Sequence, residues 1–129
     1  MSHLRDSLAK ARGLGSAGEG VTHFWHQRLT ALALVPLALW LCFSLAMLPE
    51  AGYGAVVHWL QSPVNAVLLM LTLLVSLYHG QLGVQVILED YVSTWWLRTT
   101  LIVGAWFLTV LMMIVGIYSI LKVSMATSL

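Results

Sequence analysis

The stretch PVNAVLLMLTLLVSLYHGQLGVQVIL, residues 63–88, contains no Lys, Arg, Asp or Glu. A helix that crosses a membrane needs about 20 mainly apolar residues, each rising about 1.5 Å, to span about 30 Å of hydrocarbon. The residues at its start also favour a helix, because the Ser62 hydroxyl can cap one and Pro63 suits the first helical position. The stretch therefore predicts a transmembrane helix over 63–88.

Two further apolar stretches, residues 25–48 and 97–121, have the same character. Hydrophobic residues make up 60% of the chain and charged residues only 9%, whereas a soluble domain carries about 25% charged residues. All three spans must be helical, because lipid offers no partner for a free peptide group. We therefore predict an all-α integral membrane protein, a single membrane-anchor domain over 1–129 with a polar tail over 1–24. A net charge of +1 gives no basic surface for nucleic acid.

The distribution of basic residues predicts the orientation of the chain. The basic residues near the predicted spans are Arg5, Lys10, Arg12, Arg28, Arg98 and Lys122. The first loop, residues 49–62, contains none, and only Lys122 follows the third span. Because basic residues concentrate on the cytoplasmic side, we expect a cytoplasmic N-terminus and a periplasmic C-terminus. Within the first loop, YGAVVHWLQ is too short to span and is expected to lie in the headgroup zone.

His79 is the residue in the middle span that needs an explanation. It lies about 24 Å along a helix from Pro63 and about 16 Å from Asp90, close to the middle of the bilayer. Ionisable residues at that depth are rare and usually functional. The structural alternative is a neutral histidine whose two nitrogens are satisfied by helix contacts.

Two glycines beside His79 suggest room for a flat group. Gly83 follows one turn later and Gly80 is adjacent; close helix packing is the alternative explanation for both. A porphyrin with His79 bound to its iron would use the histidine and the small residues together. The remaining histidines lie at or beyond the predicted interfaces, so a second axial ligand would come from another chain.

Polar residues collect where the first and second spans meet the cytoplasmic side. Tyr91 can donate a hydrogen bond to a quinone carbonyl, and Asp90 can help to move a proton. Arg28 can donate two parallel hydrogen bonds to a carboxylate such as a haem propionate, or polarise the quinone site. These side chains and His79 could share one inner-leaflet pocket. The alternatives are an interfacial tyrosine anchor, a solvated helix end, and an arginine that reaches lipid headgroups.

Two segments of the sequence resemble a known family. HGQLGVQVILEDYV, residues 79–92, resembles the His–x3–Gly–x6–Asp-Tyr signature of the hydrophobic membrane-anchor subunit of succinate dehydrogenase, respiratory complex II. GVTHFWHQRLTALAL, residues 20–34, resembles the approach to the first span in that family, with the arginine and the following threonine in place. The resemblance covers the whole chain, from the polar tail to the third span.

The resemblance implies a subunit that is not catalytic alone. It implies pairing with a second three-span anchor, cytochrome b556, and a haem b held between the two, with His79 as one axial ligand and Gly83 packed near the ring. Tyr91 would hydrogen-bond ubiquinone, Asp90 would lie beside it, and Arg28 would lie near the propionates. Flavoprotein and iron–sulfur subunits would dock on the cytoplasmic face of a bacterial inner membrane, with the mitochondrial inner membrane as the less favoured alternative.

The sequence departs from the family pattern at one position. Some bacterial relatives have His-Asp before the phenylalanine of the first-span approach, whereas this chain has Thr22-His23, so no role is carried over for that pair. His26 also remains without an assigned role. Two functional alternatives stay open: the anchor of a quinol:fumarate reductase, and a structural membrane subunit that binds no haem.

Overall fold

The computed structural model describes residues 17–49 and 52–126. That part of the chain forms four helices: α1 (Ala17–Ala46), α2 (Tyr53–Gln61), α3 (Pro63–Tyr91) and α4 (Trp95–Ser124). Helices α1, α3 and α4 each contain a segment long and apolar enough to cross a membrane. The all-α fold with three candidate spans is confirmed.

The helices extend beyond the predicted spans. Helix α1 starts at Ala17 rather than at residue 25, so the predicted polar tail is helical from Ala17 onward; residues 1–16 lie outside the described part. Polar residues continue these helices because nothing between Ala17 and Trp25 breaks hydrogen bonding as proline would. At about 45 Å each, the long helices exceed the hydrocarbon thickness, which a tilt or protruding ends accommodate.

Helix α3 occupies the centre of the bundle. It packs against α1 on one side and α4 on the other, and within the described residues α1 and α4 do not pack closely on each other. The short helix α2, which corresponds to the YGAVVHWLQ stretch, packs against α3 and α4. Both long neighbours run antiparallel to α3, so the N-terminal half of α1 lies beside the C-terminal half of α3.

The contact of α2, the start of α3 and the end of α4 forms what we call the apolar end. Its buried residues are Leu60, Ala66 and Ile120, with Trp59, Leu69, Met70, Leu73 and Val123 packed around them. Trp59 stacks on Trp40 of α1 with ring centroids 5.8 Å apart, and its Nε1 donates a hydrogen bond of 2.9 Å to Ser44 Oγ. Packing of these side chains against one another therefore holds this end of the molecule together.

Most of the span surface is not buried within the chain. Only 6% to 11% of the residues in the most apolar segment of each span are buried. Large side chains such as Phe107 and Leu32 are more than two thirds exposed. Apolar surface of this extent is normally covered by lipid or by other polypeptides.

Candidate functional site

The side chain of His79 is held by α1. Its Nδ1 lies 2.9 Å from the hydroxyl oxygen of Thr30, and both side chains are partly buried. Within the described residues the other ring nitrogen, Nε2, has no hydrogen-bond partner. It is not fully buried either, so it reaches the surface of the chain, where another molecule can bind it.

The residue before His79 makes a parallel contact with the same helix. The hydroxyl of Tyr78 lies 2.8 Å from His26 Nδ1, and the Tyr78 ring packs against Trp106 of α4 with centroids 6.2 Å apart. Consecutive residues of α3 are therefore both tied to one turn of α1. These two contacts fix the axial position of α1 relative to α3 at the level of His79.

Further polar side chains of α1 line the same contact. Gln27 Oε1 and His23 Nε2 are buried without a hydrogen-bond partner among the described residues, and such groups cost free energy until something binds them. We call this contact the polar seam, which consists of His23, His26, Gln27 and Thr30 of α1 with Tyr78 and His79 of α3. Unlike the apolar end, it contains unsatisfied groups.

Helix α4 makes a buried polar contact with α3 inside the bundle. Gln81 is 3% exposed and Thr109 is 8% exposed, and the Thr109 hydroxyl lies 2.9 Å from Gln81 Oε1. The same hydroxyl lies 2.8 Å from the Ala105 carbonyl oxygen, and its one proton can be donated to only one of these two acceptors. Gln81 Nε2 has no hydrogen-bond partner in the described part of the chain, so this contact too is incompletely satisfied.

The two glycines beside His79 have different surroundings. A Cβ atom at Gly83 would meet Gln27 Nε2 at 3.9 Å, an ordinary van der Waals contact, so this glycine lies beside α1. A Cβ atom at Gly80 would meet nothing within 4 Å. Of the two positions, Gly80 therefore leaves open space on the outside of the bundle.

Arg28 projects away from the polar seam. It lies two residues before Thr30, which at about 100° per residue places it on nearly the opposite side of α1. Its guanidinium carbon lies 5.2 Å from the centroid of the Phe24 ring, an arrangement typical of a cation–π contact. Arg28 therefore lies at nearly the same level along the bundle as His79, but it points away from His79 on the other side of α1.

Asp90 and Tyr91 lie at the end of α3 and are both exposed, Tyr91 by 84%. Along the helix they are about 16 and 18 Å from His79. Neither side chain makes a hydrogen bond to another described residue; the neighbouring Glu89 accepts one from Gln85 Nε2 at 2.9 Å. The described chain thus places the four predicted polar residues at two levels rather than in one pocket.

A metal site formed by this chain alone is not present in the described residues, where no three His, Cys, Asp or Glu side chains come together. A single axial ligand does not need such a group, and the donor chemistry fits one. Imidazole is an ordinary haem ligand, and here its Nδ1 is occupied by Thr30 while Nε2 is free of partners among the described residues.

Sequence reasoning missed the residues that surround His79. Thr30, Gln27 and Tyr78 carried no predicted role, although His23, Gln27 and Thr30 follow one another at intervals of four and three residues. That spacing places side chains on one face of a helix. The sequence signal that could have identified these residues was a polar stripe with helical spacing inside an apolar span.

Comparison with known proteins identifies the family. A model described as succinate dehydrogenase/fumarate reductase transmembrane subunit matches residues 2–125. The chain belongs to this family. It is 34% identical over 117 residues to the succinate dehydrogenase hydrophobic membrane anchor subunit of Rickettsia bellii, covering 91% of this chain and 94% of the relative.

Other members of the family are similarly related. The corresponding protein of Rickettsia conorii is 36% identical over 78% of this chain and 80% of its own. The succinate dehydrogenase membrane anchor subunit of Reclinomonas americana is 32% identical over 57% of this chain and 63% of its own. No solved structure shows significant similarity. The predicted relationship to the anchor subunits of succinate dehydrogenase is confirmed, and with it the membrane-anchor class of this chain.

Proposed function

We propose that this chain is the hydrophobic membrane anchor of a succinate:ubiquinone oxidoreductase. In this proposal it supplies His79 as one axial ligand of a haem b shared with a second anchor, cytochrome b556, and Tyr91 and Asp90 as its share of a ubiquinone site. It catalyses nothing alone. Flavoprotein and iron–sulfur subunits bind at the cytoplasmic face, and electrons from succinate pass to the quinone pool.

The observation that carries the haem proposal is the hydrogen bond between α1 and His79 Nδ1. It occupies one imidazole nitrogen at 2.9 Å and leaves Nε2, which reaches the surface of the chain, to bind iron. A haem bound there would transfer one electron at a time. The surface at Gly80 leaves room for a neighbour, as it does at other exposed glycines such as Gly104, whereas Gly83 beside Gln27 supports helix packing more directly than haem contact.

The quinone proposal depends on the exposure of the end of α3. Tyr91 and Asp90 are free to contact a ligand or a neighbouring polypeptide, and the phenol donates to a carbonyl oxygen while the carboxylate holds and passes a proton. Arg28 lies about 15 Å from Tyr91 along the bundle axis, so we do not assign it to the quinone. Because it also points away from the polar seam, its role at the haem propionates stays a prediction of the family resemblance.

The haem proposal is tested by a redox difference spectrum of the purified complex. We expect His79→Ala to abolish the low-spin b-type absorbance. His58→Ala is the matched control, because His58 is exposed on α2 at the far end of the molecule, and it should retain the spectrum. A His79→Ala complex with an unchanged haem spectrum would refute the ligand role.

The quinone proposal is tested separately with Tyr91→Phe. Loss of one hydrogen bond of about 1 kcal/mol should slow quinone reduction roughly fivefold while haem content stays unchanged. Tyr118→Phe serves as the control, since Tyr118 is also exposed but lies near the opposite end of the bundle on α4. Equal quinone reductase activity in the Tyr91→Phe and wild-type complexes would leave Tyr91 as an interfacial anchor only.

One alternative is the anchor of a quinol:fumarate reductase, because the matching family model covers both enzymes. Comparing succinate oxidation with fumarate reduction, using high- and low-potential quinones, separates the two. Faster fumarate reduction with low-potential quinol would favour this alternative. The relatives named above are succinate dehydrogenase subunits, which favours the first assignment.

The proposal also includes the placement of the chain in the bacterial inner membrane, with its N-terminus and the α3–α4 connection in the cytoplasm. Arg28 and Arg98 lie nearer the end of the bundle that holds the start of α1 and the α3–α4 connection, and Lys122 lies at the opposite end; basic residues concentrate on the cytoplasmic side of membrane proteins. Single cysteines introduced at Ser93 and at Gly52, in a chain whose exposed Cys42 is replaced by Ser, test this by their accessibility to a membrane-impermeant reagent. If Ser93→Cys rather than Gly52→Cys were labelled from the periplasm, the chain would have the opposite orientation.

A further inference from the structure

We propose that Thr30 is a positioning residue for the haem ligand: it sets the tautomer of His79 and orients the ring so that Nε2 faces the iron. The inference rests on the proposed function, since it assumes that His79 binds haem. It gives α1 a role in orienting the haem ligand, beyond the assignment of His79 as that ligand.

The tautomer follows from counting protons at the Thr30 hydroxyl. Its oxygen lies 2.7 Å from the carbonyl oxygen of His26 and 3.1 Å from that of Gln27. Carbonyl oxygens only accept hydrogen bonds, and a hydroxyl has one proton to donate. We assign that proton to the His26 carbonyl oxygen, which at 2.7 Å is the nearest of the three neighbours, and toward His79 the oxygen then presents a lone pair.

A lone pair at 2.9 Å from Nδ1 requires Nδ1 to carry the proton. The neutral imidazole then has its remaining lone pair on Nε2, which is the nitrogen that can bind a metal. Hydrogen-bond acceptors of this kind fix the ring orientation of ligating histidines and raise their basicity. A more basic imidazole stabilises ferric iron relative to ferrous iron, which lowers the reduction potential.

Threonine suits this role because its rotation is restricted. A β-branched side chain in a helix populates few χ1 rotamers, and in threonine the hydroxyl commonly bonds the carbonyl three or four residues earlier. The lone pair of the Thr30 hydroxyl therefore points at His79 Nδ1 whether or not a haem is bound. The neighbouring contact of Tyr78 with His26 holds the α3 backbone at the same turn, so both ends of the Thr30–His79 hydrogen bond are anchored.

The test compares three variants in the fully assembled complex. Thr30→Val keeps the shape and removes the hydroxyl, whereas Thr30→Ser keeps the hydroxyl. Thr72→Val is the matched control, because Thr72 is a partly buried threonine of α3 whose hydroxyl donates to the Leu68 carbonyl. The measurements are haem content per complex, the electron paramagnetic resonance spectrum of the ferric haem, and its midpoint potential.

We expect Thr30→Val to weaken haem retention on the order of tenfold, to shift the midpoint potential upward, and to alter the low-spin resonance positions. Thr30→Ser should lie close to wild type in all three, and Thr72→Val should be indistinguishable from it. A Thr30→Val complex with wild-type haem content, resonance and potential overturns the inference.

If Thr30→Val does not assemble, Thr30→Ala replaces it, since alanine removes the hydroxyl without adding a methyl group to the contact. A potential that differs between the alanine and serine variants supports the inference, and identical potentials overturn it. His79→Ala separates this outcome from failure of the proposed function. Loss of haem in His79→Ala with no effect at Thr30 refutes only the positioning role, whereas retained haem in His79→Ala refutes both.

Discussion

The polar seam and the apolar end lie in the same bundle but are satisfied to different extents. At the apolar end, Leu60, Ala66 and Ile120 are buried against one another, and the indole of Trp59 finds an acceptor in Ser44. At the polar seam, His23 Nε2 and Gln27 Oε1 are buried without partners in the described chain. His79 presents an unbonded nitrogen at the surface.

The difference indicates which helix contacts are complete within the described chain and which are not. Apolar surfaces need only each other, and packing at the apolar end fixes how α2, α3 and α4 meet. Polar groups in a membrane need specific partners, and those of the seam find only some of them within the described chain. We infer that the apolar end determines how α2, α3 and α4 are arranged, whereas at the seam His79 Nε2 stays available to a molecule outside this chain.

The largest effect on stability is expected from Gly116→Leu. A Cβ atom at Gly116 would collide with the side chain of Leu73, whereas one at Gly104 on the same helix would meet nothing within 4 Å. Overpacking of this kind costs about 1–3 kcal/mol, which thermal unfolding of the detergent-solubilised complex would reveal as a lowered transition temperature.

Gly104→Leu is the control for that experiment and should unfold like wild type. In the Gly116→Leu complex, the fraction that remains folded should keep the wild-type haem spectrum, because Leu73 belongs to the apolar end and lies about 9 Å from His79 along α3. A changed spectrum would show that the apolar end and the polar seam are coupled, and would contradict the division proposed above.

Thr109→Val is expected to have an intermediate effect. It removes the hydrogen-bond partner of Gln81 and leaves the amide of a residue that is 3% exposed without any hydrogen bond in the described chain. Hydrogen bonds between membrane helices contribute about 0.6 kcal/mol on average and up to about 1.7. We expect a loss of about 1 kcal/mol in the free energy of unfolding of the complex.

Thr100→Val provides the comparison, since Thr100 is exposed and its hydroxyl donates to the carbonyl of Trp96 on the same helix. If both substitutions were equally mild, an additional group in the assembled complex would be satisfying Gln81. The Gln81 contact would then be completed by a group outside the described residues.

Ser44→Ala should have the smallest effect. It deletes the acceptor of the Trp59 indole, but the stacking of Trp59 on Trp40 remains, so we expect a loss of about 0.6 kcal/mol. Haem content and quinone reduction should not change. A measurable loss of haem in this variant would mean that the position of α1 at the apolar end controls the seam.

Sequence alone predicted the three spans, and it singled out His79, whose ligand role stays a prediction. Apolar runs of sufficient length require helices in lipid. A histidine such as His79 inside such a run can be recognised without knowing how the helices are aligned with one another. The extension of α1 back to Ala17 was not predicted, because hydropathy marks where apolar residues begin and a helix continues until hydrogen bonding is interrupted.

The contacts of His79 could not be predicted in the same way. Whether Thr30 meets His79 depends on how far α1 is displaced along α3, and periodicity within one helix does not fix displacement between two. For the same reason Gly83 was interpreted as space for a porphyrin, while in the structure it lies beside Gln27. The separation of Tyr91 from Arg28 also follows only from the antiparallel register.

The most direct test of the haem-ligand role is a density map of the assembled complex at a resolution that shows side-chain orientation. We predict His79 Nε2 at bonding distance from a haem iron, with Nδ1 still facing the Thr30 hydroxyl. A map in which the ring binds iron through Nδ1, or faces lipid or another helix with no haem beside it, would contradict that role.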